Sequence, residues 1–306
     1  MKALIHIGIP KSGTSSIQAF LGLNRAALAR QGMVYAPFNP DFGSQFEFPV
    51  TALEACSTAI GPELERRRLG LGTPEQQSEY VDAYDRFLTT VLKDSGADCF
   101  IGSSEHIQAW LTKPTQIEAL DRFLSARFTQ VRYLVYLRAQ DELVASGYSE
   151  AIRRGATHDF QTHLASYARQ NHWASVKQWR AVVGPRLLVR LTSRDALHGG
   201  DLLVDFCAIA GIDKAGLDDP PRVNAALGTG EIALRRQLNR ILPVLGRDGR
   251  LHPAYRLVLR GLGPLARYRG DRISLNAEER LEVLAKNSTD NEKIRRRYFR
   301  DRPSLF

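Results

Sequence analysis

The 306-residue chain contains little sulfur, with only three cysteines and two methionines. Cys56, Cys99 and Cys207 lie far apart and match neither a metal-ligand spacing nor a disulfide framework, and their odd number fits a reducing compartment. No apolar run approaches the roughly 18–20 residues of a membrane-spanning helix. The N-terminus shows no secretory signal pattern. We therefore expect a cytoplasmic protein, with peripheral membrane contact left open.

Several catalytic patterns are also missing. There is no Gly-x-Ser-x-Gly elbow and no Cys/His nucleophile pattern, which argues against an acyl-transfer hydrolase. Asp94, Asp98, His158, His163 and His172 show no metal-ligand spacing. Neither an internal repeat nor a low-complexity tract is present, which argues against a repeat architecture.

The positive charge is concentrated toward the C-terminus. The net charge is +9, and residues 222–306 hold 19 basic and 9 acidic residues. Such an excess suggests an anionic partner, namely a cofactor, an acidic glycan, a membrane surface or nucleic acid, or else a solvated basic face. Within it, residues 252–270 interleave arginine with leucine. This segment is either a basic helix at a membrane surface or a helix that covers the core with its arginines facing water.

Apolar runs and helical periodicities alternate along the first 213 residues. The runs predict strands at 3–7, 99–103, 131–137 and 186–191, with a short edge strand at 33–35. The periodicities predict helices near 15–31, 75–94, 114–127, 140–154, 160–183 and 200–211, and after a connector at 214–230 further helices near 231–242, 252–262 and 277–299. Alternation of this kind indicates an α/β fold with a parallel sheet flanked by helices and a basic helical C-terminal extension.

The loop after the first strand has the composition of a phosphate-binding loop. Residues 8–14 read GIPKSGT and connect the strand to the first helix. Backbone N–H groups at a helix N-terminus attract an anion, glycine permits close approach, and lysine supplies a cation. Nucleotide hydrolases place lysine directly after the second glycine, whereas Lys11 precedes Gly13 by two residues.

This loop resembles the 5′-phosphosulfate loop of sulfotransferases that use 3′-phosphoadenosine 5′-phosphosulfate (PAPS). The resemblance implies a P-loop-type fold and PAPS as sulfuryl donor, with no metal required. The implied donor-binding residues of the loop are Lys11, Ser12, Gly13, Thr14, Ser15 and Ser16.

A second segment fits the same family. Arg138 stands at the end of the strand predicted at 131–137, and Ser146 follows eight residues later within a helix that Asp141 is expected to cap. The family holds the 3′-phosphate with an Arg and a Ser at this spacing. Its additional Arg-Lys-Gly cluster is absent here, and Arg194 or residues 295–297 remain open as substitutes. The stretches at 190–213, around Asn224 and at 291–299 also look similar, so the resemblance covers most of a single domain (1–306), with a nucleotide-binding core at 1–213 and a basic subregion at 222–306.

Catalysis requires charge neutralisation and a base. Lys11 is the candidate for neutralising charge on the bridging oxygen. Glu105 and His106 follow the strand at 99–103, and the family uses either residue type as base; Glu105 is favoured. The expected acceptor is a hydroxyl, on a carbohydrate or a lipid-linked glycan, and aromatic residues at 37–49 are candidates to line its pocket. No nucleic-acid partner is expected. The alternatives are a P-loop kinase or NTPase and a non-catalytic protein that binds nucleotide or polyanion.

Overall fold

The computed structural model describes residues 1–221, 227–246, 251–267 and 271–306, except the side chains of 263–267. The predicted similarity around Asn224 and the last residues of the basic segment, 268–270, lie outside the described residues. The chain divides into two compact units, one of Met1–Arg138 with His172–Val223 and the other of Ala139–Asn171 with Asn224–Phe306. The prediction of a single domain is not tested by this division and stays a prediction.

The first unit is built on a five-stranded parallel sheet with β1 at its centre. The strand order is β2-β3-β1-β4-β5, and every paired neighbour runs parallel. The strands are β1 Lys2–Ile7, β2 Met33–Val34, β3 Cys99–Ser104, β4 Gln130–Leu137 and β5 Leu187–Leu191. The predicted α/β fold and all five predicted strands are thereby confirmed, the short β2 as an edge strand.

Helices connect and flank these strands because parallel neighbours need crossover connections. Those of the first unit are α1 Thr14–Leu23, α2 Arg25–Arg30, α3 Glu47–Glu54, α4 Glu63–Leu69, α5 Pro74–Asp94, α6 Glu105–Trp110, α7 Pro114–Ser125, α10 His172–Val183 and α11 Leu202–Ala210. The core between α1, α11 and the sheet is apolar: Leu4, Ile17, Phe20, Ile101, Leu134 and Phe206 are all buried. The strongest local start signal is at α5, where Thr73 and Gln76 form a capping box around Pro74.

The second unit is helical within the described ranges. Its helices are α8 Gln140–Arg153, α9 Phe160–Tyr167, α12 Thr229–Ile241, α13 Pro253–Arg267 and α14 Ala277–Tyr298. Small clusters hold them together, one around Tyr148, Ile152 and Ile232 and another around Leu238 and Tyr255. The predicted helical character of the basic C-terminal part is confirmed.

Local details differ from the sequence-based predictions. The helix predicted at 15–31 is two helices that meet at Asn24, whose side chain donates to the carbonyls of Phe20 and Asp218 at 2.9 Å. The predicted cap at Asp141 is wrong, because α8 begins at Gln140 after Ala139 and has no side-chain cap. Asp141 is instead buried in the first turn and accepts a hydrogen bond from Arg280 at 2.8 Å. No helix among the described residues is long and apolar enough to cross a membrane.

Candidate functional site

The loop between β1 and α1 has a backbone that only small residues fit. Gly13 adopts φ +88, and a Cβ there would lie 2.1 Å from the Leu202 Cδ2 atom. A Cβ on Gly8 would lie 2.4 Å from the Thr14 Oγ1 atom. Lys11 also has a positive φ of 66. The loop therefore makes a tight turn, in which Gly8 and Gly13 leave no room for a Cβ atom.

The same loop contains hydrogen-bond donors suited to an anion. Because α1 begins at Thr14, the N–H groups of Thr14 and Ser15 have no acceptor within the helix, whereas those of Ser16 and Ile17 donate to the Gly13 carbonyl. The Ser12 hydroxyl is buried and has no hydrogen-bond partner among the described residues. A buried hydroxyl without a partner is costly, and an oxygen of a bound phosphate would satisfy it. These residues fit a phosphosulfate group.

Arg138 joins the second predicted segment to this loop. It follows β4, and its Nη1 atom donates to the Lys11 carbonyl at 2.9 Å, across 127 residues of sequence. Its own carbonyl accepts from His172 Nε2 at 2.9 Å. Burial lowers the pKa of His172, although this hydrogen bond acts in the opposite direction. The arginine predicted for the 3′-phosphate is thus in direct contact with the loop predicted for the 5′-phosphosulfate.

Ser146 lies half-buried on α8 in the second unit. Its role in binding a 3′-phosphate stays a prediction. Of the substitutes considered for the missing basic cluster, Arg295 and Arg296 both pair with Glu292, while Arg194 is exposed after β5.

The two candidate bases lie beside the loop at the end of β3. Ile7 and Ser104 are aligned across β1 and β3, and the Gly8 N–H donates to the Ser104 carbonyl at 3.0 Å. Glu105 and His106 are the first two residues of α6, which Ser104 caps by accepting from the His106 N–H at 3.3 Å. Both candidates therefore stand at the same edge of the sheet as the phosphate loop.

The His106 ring contacts a serine hydroxyl and two aromatic rings. Its Nδ1 atom lies 2.8 Å from the Ser44 hydroxyl, which also lies 3.0 Å from the Ser104 hydroxyl. The ring centroid is 4.2 Å from that of Phe46 and 5.0 Å from that of Trp110. Residues 42–46 of the predicted aromatic loop thus contact one of the candidate bases. The choice between Glu105 and His106 remains a prediction.

Sequence reasoning missed a buried polar network beneath this edge. The Ser103 N–H donates to Gln45 Oε1 at 2.7 Å, and the Ser103 carbonyl accepts from Gln18 Nε2 at 3.1 Å. His6 Nδ1 lies 2.9 Å from the Ser103 hydroxyl. Burial lowers the pKa of His6 to about 3, so the ring is neutral. Polar residues inside otherwise apolar runs, such as His6 within β1, were the available signal.

The network continues to a buried acid on α3. Glu47 Oε1 accepts from Gln45 Nε2 at 3.1 Å and from the Phe38 N–H at 3.0 Å. Burial raises the pKa of Glu47 to about 7. No cluster of three or more His, Cys, Asp or Glu residues suited to a metal ion occurs in the part of the chain that the structure describes.

Comparisons with known proteins give few similarities. The chain matches no protein-family model. It is 26% identical over 181 residues to an uncharacterized protein of Archaeoglobus fulgidus, an alignment that covers 58% of this chain and about half, 48%, of that protein. Its fold is similar to that of a sulfotransferase from Alicyclobacillus acidocaldarius, known from a crystal structure, with a TM-score of 0.43 and 17% identity over 86% of this chain and 91% of that one.

Proposed function

We propose that the chain is a sulfotransferase that moves a sulfuryl group from PAPS to an acceptor hydroxyl. The observation that carries this proposal is the hydrogen bond from Arg138 to the Lys11 carbonyl. It unites two segments that the sequence associates with the two ends of one bisphosphorylated donor. An NTPase needs only a single phosphate loop with a magnesium-holding acid.

The donor would be held by residues of two strand ends. The loop N–H groups, Ser12, Thr14 and Lys11 would bind the phosphosulfate, and Arg138 with Ser146 would bind the 3′-phosphate. Arginine suits this task because its planar guanidinium donates to two phosphate oxygens at once. When bound, PAPS supplies the activated sulfuryl group.

The protein's own part in transfer is to orient groups and manage charge. Lys11 neutralises negative charge that develops on the oxygen of the leaving phosphate. Glu105 accepts the proton of the acceptor hydroxyl, with His106 as the second candidate. The acceptor is a carbohydrate or a lipid-linked glycan, and the rings of Phe46 and Trp110 beside His106 supply the aromatic lining that small-molecule pockets favour.

Calorimetric titration with 3′-phosphoadenosine 5′-phosphate (PAP), the desulfated product, tests the donor site. We expect the wild-type protein to bind PAP more tightly than ATP with Mg²⁺. Arg138→Ala should weaken PAP binding by about 10- to 100-fold, since a charged hydrogen bond contributes roughly 1.5–3 kcal/mol. Arg132→Ala is the matched control, because Arg132 is exposed near the other end of the same strand.

Three outcomes would count against the proposal. Preference for ATP with Mg²⁺ would indicate a kinase or NTPase. Equal loss of PAP affinity in Arg132→Ala and Arg138→Ala would remove the assigned site. Absence of binding to either nucleotide would leave the loop as an ordinary helix start without this function.

A further inference from the structure

Helix α13 has an inner face that is anchored in the second unit. Tyr255 is fully buried, and Val258 and Leu259 pack with it against Leu238 and Val244. The Tyr255 hydroxyl also donates to Asn239 Oδ1 at 2.7 Å. The helix is therefore fixed to α12, and its opposite face points away from this small core.

The outer face of α13 combines arginine with exposed leucine. Arg256 and Arg260 are exposed one turn apart, and Leu257 between them is 72% exposed. Leu262 is 49% exposed as well, but it follows Tyr255 by seven residues and therefore lies on the anchored side of the helix. The outer face thus places one large aliphatic side chain beside two cations.

The segment that contains α12 and α13 is rich in arginine and poor in acidic residues. Arg235 pairs with Glu231 on α12. Residues 232–270 contain nine arginines, no lysine and a single acid, Asp248, so they account for nearly all of the chain's net charge of +9. Within the described ranges, no carboxylate lies within ion-pair distance of Arg240, Arg256 or Arg260. On α14, by contrast, Arg296 pairs with Glu292 and Lys286 with Glu282.

We infer that the outer face of α13 docks on the surface of an anionic lipid membrane. Unpaired arginines are attracted to anionic headgroups, and the contribution of each basic residue falls off within a Debye length of the surface. Leu257 then loses its exposure to water by entering the headgroup region. A nucleic acid would also attract the arginines, but its phosphates would leave Leu257 in water. The inference does not depend on the proposed sulfotransferase activity.

Cosedimentation of the full chain with vesicles tests this surface. We expect binding at physiological salt to vesicles of phosphatidylcholine with 30% phosphatidylglycerol, and none to phosphatidylcholine alone. Arg256→Gln/Arg260→Gln should lower the partition coefficient about 30-fold, because each arginine near such a surface contributes roughly fivefold. Leu257→Ser should lower it several-fold without any change in net charge.

Matched variants on α14 show whether vesicle binding depends on the outer face of α13 or only on the total charge and exposed leucine of the protein. Lys286→Gln/Arg296→Gln removes the same two charges from paired positions, and Leu281→Ser removes a leucine that is 69% exposed. We expect each to change vesicle binding by less than threefold. Thermal melting of every variant checks that the fold is kept.

Several results would overturn the inference. One is no binding to the anionic vesicles, and another is equal loss in the α13 and α14 charge variants. A third is vesicle binding that the Leu257→Ser variant leaves unchanged. Arginine-dependent binding to a single-stranded oligonucleotide without vesicle binding would make nucleic acid the partner instead.

Discussion

The two edges of the central sheet differ in whether their polar residues are buried or exposed. At the carboxyl edge, His6, Ser12, Ser103 and Ser104 are buried. At the amino edge, Lys2, Asp98, Gln130 and Arg132 are exposed, although a hollow of about 660 Å³ opens there. Burying polar groups costs free energy, so their concentration at one edge indicates a constraint other than stability. The burial of polar residues at an edge is therefore a better indication of a site than the volume of a hollow.

The largest expected difference between the two edges comes from replacing Lys11, in the loop after β1, and Lys2, the first residue of β1, in turn. Lys11→Ala should lower sulfuryl transfer about 1000-fold, because it removes a charge that acts on the leaving oxygen. Lys2→Ala, at the exposed end, should leave the rate within about twofold. The measurement is PAP formation from PAPS with carbohydrate or lipid-linked glycan acceptors, followed by chromatography. Similar rates for the two variants would contradict the difference between the edges.

Substitution of the candidate bases tests whether the carboxyl edge supplies the general base. Glu105→Gln should lower turnover at least 100-fold, as expected for loss of a general base, while PAP affinity stays within about twofold. His106→Ala is the comparison variant at the neighbouring position. A full rate in Glu105→Gln together with a large loss in His106→Ala would transfer the base role to His106.

The buried acid of the carboxyl edge should make stability depend on pH. Burial raises the pKa of Glu47 to about 7 in the fold, from 4.5 for an ordinary glutamate side chain. The stability that the protonated Glu47 side chain contributes to the fold is thus fully present below pH 4.5, and it is lost as the pH rises through about 7. Relative to the wild type, the unfolding free energy of Glu47→Gln should therefore rise by about 3 kcal/mol between pH 4 and pH 8. Denaturant titrations at a series of pH values measure this, and a constant difference would contradict the raised pKa.

The smallest expected effect is the difference in unfolding free energy between alanine variants of two glycines that have positive φ. Gly13→Ala introduces both an unfavourable φ and a contact with Leu202, whereas Gly96→Ala, near the amino edge, meets no atom within 4 Å. We expect losses of about 2 and 1 kcal/mol in the unfolding free energy, respectively. Thermal unfolding of both variants checks the difference, and a larger loss in Gly96→Ala would contradict it.

The sheet could be predicted because its strands are strongly apolar and separated by helical periodicity. β1, β3 and β4 differ from their predicted ranges by one residue at one end. Three short helices were missed. In α3 (Glu47–Glu54) a proline follows the first two residues, and α6 (Glu105–Trp110) begins directly after β3 without a separating loop. Short helices depend on tertiary packing, which local patterns do not encode.

Residues of the candidate site could be proposed from the sequence only where they form a local pattern. The loop at residues 8–14 has a characteristic spacing, and Arg138 stands directly after an apolar strand. The contacts of Ser44 with His106 and of Gln45 with Ser103 join residues about 60 positions apart, at 2.8 and 2.7 Å. No periodicity in the sequence marks such pairs, so only the fold shows that residues 42–46 belong to the carboxyl edge.

The attachment of that loop has a consequence for protein engineering. Ser44 and Gln45 hold residues 37–46 to the end of β3, while the phosphate loop is braced separately by Arg138 at the end of β4. In the proposed sulfotransferase, donor and acceptor recognition would thus be supported by different neighbours of β1. A loop of equal length that keeps Ser44 and Gln45 could then be exchanged at 37–43 to redirect the proposed activity to other acceptors while the donor preference is retained.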